Sequence, residues 1–380
     1  MLHCKQKGRL APAGQPYEAR LSFADAETTL DGMASRQSAL RISILDQAPI
    51  AAGGSGGQAL RQVVDLAKLA EGAGFHRYWI AEHHGTPGLA SASPEVLISA
   101  VGMATDSIRL GSGGIMLPHY SPFKVAETFS MLSGLLPGRI DMGIGRAPGT
   151  DGRTAYALQR DRRDRAPDDF PQQLAELIAY LDDAMPQDHP FALLGKTLPG
   201  RPAVPEPWLL GTSPDSAAWA AELGMPYCVA DFINARGAPL ADQYRQSFRP
   251  NSHRTVAEPT VMAAVWSICA ETTAEAERLA ASSRMLFRLL HRGQLIVVPS
   301  PEDAVRFLES DAAGSSSRSR RVVLGTPDAV RAELERIAAE YGAEEVMVVN
   351  ILHDHEARRR SYALLAEAFA LTRQPQLETV

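Results

Sequence analysis

RYWIAEHHGTPGLASASPEVLISAVGMATDSIRLGS, residues 77–112, holds a complete strand–loop–helix–strand unit. Its first five residues are short, aromatic and apolar, which favours a strand. Ser93-Pro94-Glu95 then places a hydroxyl at the N-cap, Pro at the first helical position and an acid in the first turn. A helix is predicted over residues 93–105 and a second strand over 108–112.

The same alternation continues in both directions. Strands are predicted over residues 41–46, 77–81, 108–112, 139–145, 207–211, 226–231, 259–268 and 344–351. Between and after them, helices are predicted over 58–73, 93–105, 122–135, 170–184, 213–223, 240–248, 273–290, 327–341 and 356–370. Ser213-Pro214-Asp215 and Thr326-Pro327-Asp328 repeat the start signal of residue 93. Eight strands, each followed by a helix, predict an α/β fold: a (β/α)8 TIM barrel with insertions in βα connections. A doubly wound open sheet is the alternative. The insertions are residues 146–206 and 291–324, both expected at the catalytic face; the second contains DAAGSSSRSRRV, expected to be mobile.

Length alone would suggest two or three domains, but barrels of this kind run past 250 residues as single units. We therefore read residues 39–380 as one domain and residues 1–38, which lack sustained periodicity, as a poorly ordered extension. Met33, just before the first strand, is an alternative start.

Composition narrows the function. The chain is 45% hydrophobic and 22% charged, which excludes a disordered chain. Its net charge of -6 provides no general attraction to nucleic acid or an anionic membrane. Cys4, Cys228 and Cys269 are far apart and odd in number, which fits a reducing cytoplasm. The longest apolar run, residues 259–270, is too short to span a bilayer.

Several motifs fail on inspection. No G-x-G-x-x-G follows a strand, so a Rossmann nicotinamide site is not expected. Gly53-Gly54-Ser55-Gly56-Gly57 matches G-x-S-x-G, but six residues separate it from the strand, too many for a nucleophile elbow. Glu82-His83-His84 and His353-Asp354-His355 offer ligand types for a metal without metal-site spacing, and no metal is expected. On a strand Glu82 and His84 share a face and His83 points away. The second cluster reads as the cap of the last helix.

Three features suggest an anion site at the barrel mouth. Gly143-Ile144-Gly145-Arg146 puts an arginine at the exit of the fourth strand. Gly211-Thr212-Ser213 opens a helix after the fifth, with free N–H groups and the positive dipole end. Gly111-Ser112-Gly113-Gly114 lets a ligand approach the backbone after the third. Together they suit a phosphate and a flat ring. The alternative is that these glycines serve turn geometry and Arg146 is a solvated rim charge.

GFHRYWIAEHHGTPGLASASPEVL, RLGSGGIMLPHYSPFKVAETFSML, GRIDMGIGRAPGTD, WLLGTSPDSAAWAAELGMPY and GTPDAVRAELERIAAEYGAEEVMVVNILHDH resemble, in order, blocks of the luciferase-like flavin-dependent monooxygenases, in particular their non-luminescent bacterial group. The resemblance covers residues 40–370. It implies a homodimeric barrel that binds reduced FMN supplied by a separate flavin reductase and oxygenates a small organic substrate with molecular oxygen. It implies His83 as the catalytic proton-transfer residue. Arg146, Thr212 and Ser213 would hold the phosphate. Ser112, Gly113 and Gly114 would lie beneath the flavin ring, where family members often carry a non-prolyl cis peptide. Related barrels use F420 for hydride transfer, and a non-catalytic flavin binder would keep the same pocket. Gly145 stands where true luciferases carry a reactive cysteine, which argues against light emission.

Overall fold

The computed structural model describes residues 40–146, 149–159, 168–254, 256–311 and 320–373. The predicted N-terminal extension and most of the Ser/Arg-rich stretch fall outside these residues.

The elements in chain order are β1 (Arg41–Asp46), α1 (Gly56–Ala73), β2 (Arg77–Ile80), α2 (Pro94–Gly102), β3 (Arg109–Met116), α3 (Pro122–Leu135) and β4 (Ile140–Gly145). Then come α4 (Gly152–Leu158), α5 (Phe170–Asp182), β5 (Glu206–Gly211), α6 (Pro214–Glu222), β6 (Tyr227–Ala230), α7 (Ala238–Ser247) and β7 (Val261–Cys269). The chain continues through α8 (Thr273–His291), α9 (Pro301–Ser310), β8 (Val322–Gly325), α10 (Pro327–Tyr341), β9 (Glu345–Val349) and α11 (His355–Ala368). Every strand pairing is parallel. The strands run β6-β5-β4-β3-β2-β1-β9-β7, and a β6–β7 pairing closes the ring. The fold is a (β/α)8 TIM barrel, and its eight staves correspond to the eight predicted strands.

β8 lies outside that ring. It pairs with the Trp266–Cys269 end of β7, while β9 pairs with Met262–Trp266, so the two pairings meet at Trp266. It begins within the second predicted insertion, which also holds α9. The first insertion divides differently from the expectation. Only the connection up to α5, including α4, is a βα connection. Residues 183–205 lead from α5 back into β5 and belong to the opposite face. α5 itself packs on α3 as a regular barrel helix.

The cap signals placed the helices but not all their bonds. Ser213 accepts from Ser216 N–H and forms a capping box, whereas Ser93 and Thr326 stand at the N-cap without a side-chain bond. At α9, Ser300-Pro301-Glu302 repeats the same signal, and Ser300 does accept from Asp303 N–H.

Two apolar layers hold the barrel. The larger lies between strands and helices. The smaller fills the interior with Leu45, Trp79, Trp208, Met262, Trp266, Met347 and Val349. Below it, near the strand N-termini, a buried ionic layer plugs the base. Arg77 there donates to Glu345 at 3.0 Å and to Asp141 at 2.8 Å. Trp79 adds its indole N–H to Asp141 at 2.9 Å. Towards the C-terminal mouth the strands turn to small residues, among them Ala81, Gly113, Gly145 and Ala230, and volume opens there.

Candidate active site

A cavity of about 430 Å3 occupies that mouth. A second, of about 750 Å3, adjoins it and shares Gln47, His83, Gly149, Phe232 and Ile233. This is the face where barrel active sites form, because eight independent connections converge there.

One wall is the glycine end of β3. The Gly113–Gly114 peptide is cis, and the pairing with β4 shifts register between Gly113 and Ile115. Both glycines line the first cavity. A Cβ on Gly114 would meet Gly143 O at 2.8 Å, so backbone itself forms this wall. Ser112 is placed otherwise than the sequence suggested. It is fully buried in the stave, donates its hydroxyl to Gly143 O at 2.8 Å, and does not line the cavity.

The opposite wall is the start of α6. Thr212 and Ser213 both line the cavity, and Gly211 lets the chain pass over Ser216, whose Oγ would lie 2.2 Å from a Cβ there. Arg146 leaves β4 and lies over the Trp219 ring at 5.6 Å. Trp219 in turn rests on Phe170, with ring centroids 5.4 Å apart. Arg146 pairs with Asp168 and lies 3.6 Å from Asp215, and its side chain is 42% exposed. It is thus both a rim charge and a cavity residue: an arriving phosphate would compete with two carboxylates for it.

His83 stands where the two cavities meet. Its backbone N–H is tied to Ser91 O at 2.9 Å, while its ring Nδ1 is buried without a partner among the described residues. Burial, reinforced by the neighbouring His84, pushes its pKa down to about 4. The ring is therefore neutral at physiological pH, with one nitrogen able to donate and the other to accept. Residues 82–84 lie just beyond the end of β2, where strand alternation no longer applies, but Glu82 and His84 do meet. Glu82 is bonded to His84 at 2.7 Å, accepts Tyr120 O–H at 2.9 Å, and accepts Met116 N–H at 2.9 Å. This network fixes the backbone on either side of His83. The second histidine cluster is a cap: Asp354 accepts Ala357 N–H at 2.7 Å, and His355 pairs with Asp65 at 2.8 Å.

Sequence reading missed Gln47, Phe170, Trp219, Cys228, Phe232, Ile233 and Met347, all of which line the first cavity. Gln47 had a signal, since it follows the end of β1, a position that faces the mouth of a barrel. It is held there by Ala48 at φ 49°, a conformation that L side chains rarely adopt. Cys228 is a wall group, not a nucleophile. Burial pushes its thiol pKa up, away from the reactive thiolate.

Comparison with known proteins gives the family. The model of the luciferase-like monooxygenase family matches residues 40–345, and the chain belongs to that family. It is 44% identical over 336 residues to the YwcH protein of Bacillus subtilis, covering 87% of this chain and 99% of that one. It is 35% identical over 331 residues to the N-acetyl-S-alkylcysteine monooxygenase of the same organism, covering 87% and 98%. The crystal structure of apo-MsnO8 matches with a TM-score of 0.79 at 40% identity, covering 88% of this chain and 99% of that one. Two more distant structures share the fold alone, and between them they hold both kinds of flavin-type cofactor. One is the oxygenating constituent of 3,6-diketocamphane monooxygenase from Pseudomonas putida with FMN, at 18% identity, a TM-score of 0.65 and coverage of 87% and 98%. The other is an F420-dependent secondary alcohol dehydrogenase with an F420–acetone adduct, at 15% identity, a TM-score of 0.61 and coverage of 87% and 99%. Among the described residues no helix is long and apolar enough to cross a membrane.

Proposed function

We propose that the chain is the oxygenase component of a flavin-dependent monooxygenase that uses reduced FMN, delivered by a separate reductase, to oxygenate a small organic molecule. The observation that carries this reading is the convergence of three features on one cavity: the Gly113–Gly114 wall, the α6 N-terminus with Arg146, and the unpartnered ring nitrogen of His83.

The residues fit the cofactor. Backbone at Gly113 and Gly114 offers a flat, side-chain-free surface for a ring. Arg146 and the positive dipole end of α6, with Thr212 and Ser213 beside them, suit a phosphate. Bound reduced flavin would supply the two electrons that let one oxygen atom reach the substrate and the other leave as water. Phe170, Trp219, Phe232 and Met347 keep water from the ring site. Neutral His83 takes or gives a proton through its ring, with Nδ1 the atom free to do so.

The chain is further proposed to work as a homodimer in the cytoplasm. Val96 and Met103, at and just beyond α2, and Met131 and Leu135 on α3 are between 53% and 82% exposed, an apolar face that a second copy would cover.

The test is anaerobic titration with reduced FMN and reduced F420, followed by oxygen. An N-acetyl-S-alkylcysteine, the substrate class of one relative, is the first to offer. Tight FMN binding with oxygen-dependent product formation is expected. Preference for F420 with anaerobic turnover would replace this reading by hydride transfer. Flavin binding without turnover of any substrate would reduce the chain to a binder.

A further inference from the structure

The second cavity carries chemistry that flavin binding does not use. Its wall is apolar and aromatic, with Trp266 and Phe287 in edge contact at 4.8 Å, flanked by Leu286, Leu290 and Ile296. Against this wall lies the guanidinium of Arg320, 4.2 Å from the centre of the Phe287 ring. Among the described residues no carboxylate pairs with it.

The contrast with the next residue is informative. Arg321 is fully engaged, donating to Glu340 at 2.9 and 3.0 Å and to Ala235 O at 2.9 Å, and facing Asp231 at 3.5 Å. Arg320 was left out of that network. Burial in the wall holds its pKa below the usual arginine value, and no acid among the described residues offsets the effect. The acid that lines the same cavity, Asp151, is already committed. It caps α4 by accepting from Arg153 N–H, Thr154 N–H and the Thr154 hydroxyl. Arg153, the other cation on the wall, is exposed at the rim. On the same wall the Trp266 indole N–H is buried and has no acceptor among the described residues.

A half-buried cation with no counter-charge among the described residues is costly, and its planar fork matches a carboxylate. We propose that the second cavity is the substrate site and takes a small organic acid with an apolar body, its carboxylate held by Arg320 and its reacting atom towards His83. The inference rests on the flavin reading of the first cavity only in taking the adjoining cavity as the substrate's. His83 and Gln47, shared by both cavities, mark where the two ligands meet.

Binding is measured on the full chain, without flavin, by calorimetric titration with phenylacetate, 3-phenylpropanoate, 4-phenylbutyrate and 6-phenylhexanoate, each against its primary amide. At least one acid should bind about tenfold or more tightly than its amide, the range a charge-assisted bond supplies. Arg320→Gln should abolish that preference and Arg320→Lys keep part of it, with FMN affinity unchanged in both. The wild-type acid-to-amide ratio stands as a test without any variant. Amides binding as tightly as acids, an acid preference that survives Arg320→Gln, or no binding by any acid of the series would overturn the proposal. Acid selectivity in a chain that binds no flavin would support it and refute the flavin reading alone.

Discussion

His83 shows how much one position depends on its neighbours. Its backbone is pinned to Ser91, its flanking residues are locked in the Glu82 network, and its ring is left at the junction of two cavities. His83→Ala should keep FMN binding while slowing oxygenation about 100-fold or more, the usual weight of a general acid–base group. Coupled turnover beside an FMN titration checks this, and equal turnover would remove the role. Because burial pushes the His83 pKa to about 4, its titration should appear as a fall in rate near that pH, with no inflection near 6.5. At the other end of the cavity, Arg146→Ala should weaken FMN about tenfold while leaving riboflavin nearly unaffected, since only FMN brings a phosphate. Equal losses for the two flavins would place Arg146 off the phosphate.

At the scale of elements, β3 and β4 show why the same residue type serves two ends. A Cβ on Gly113 would meet the tip of Leu45 at 2.4 Å, and a side-chain end can turn aside. A Cβ on Gly143 would meet Ser112 O at 2.1 Å, which is backbone in a closed stave. Gly113→Ala is therefore expected to fold, at a cost of about 1 kcal/mol, and to lose flavin affinity. Gly143→Ala should lose about 3 kcal/mol or fail to fold. Urea melts of the two variants give the comparison, and equal stabilities would contradict it. The elements themselves were legible, because alternation, caps and Pro/Gly punctuation are local signals. Where reading stopped short, the reason was tertiary. β8 is four residues long and exists only because the outer half of β7 is free to pair with it. Ser112 sits inside a motif that points to a ligand, yet its hydroxyl is drawn to Gly143 of the neighbouring stave.

The whole molecule adds charges that no single element could hold. Asp46 in β1 and Arg358 in α11 are both buried and are bonded at 2.6 Å across 312 residues of sequence. Arg358 keeps the Asp46 carboxyl below the usual carboxylate range, against the opposing effect of burial. Histidines set the acid response. Burial pushes both His76 and His83 down to about 4, while in the unfolded chain each takes up its proton near 6.5. The unfolded state thus binds more protons between these values. Stability should fall as pH drops from about 6.5 to about 4, by about 3 kcal/mol for each histidine. Denaturation at pH 7 and pH 4.5 measures the drop, and His83→Ala should remove part of it; a drop unchanged in that variant would show that His83 does not contribute. Leu135→Glu, on the exposed α3 face, is expected to give monomers by light scattering with the barrel intact. A dimer that persists would place the interface elsewhere.

The sequence by itself determined the eight staves, the order of the helices between them and the glycine-rich ends of β3, β4 and β5. Each of these depends on residues a few positions apart, and backbone propensity acts at that range. Closure of the barrel decided the rest. It turned residues 183–205 of the first insertion to the opposite face and separated Ser112 from the cavity that Gly113 and Gly114 line. It also brought Gln47, His83 and Phe232, which follow three different staves, to one junction, and left Arg320 on an aromatic wall with no carboxylate paired to it among the described residues. Such neighbours are distant in sequence, and only the ring of strands puts them within reach of one another.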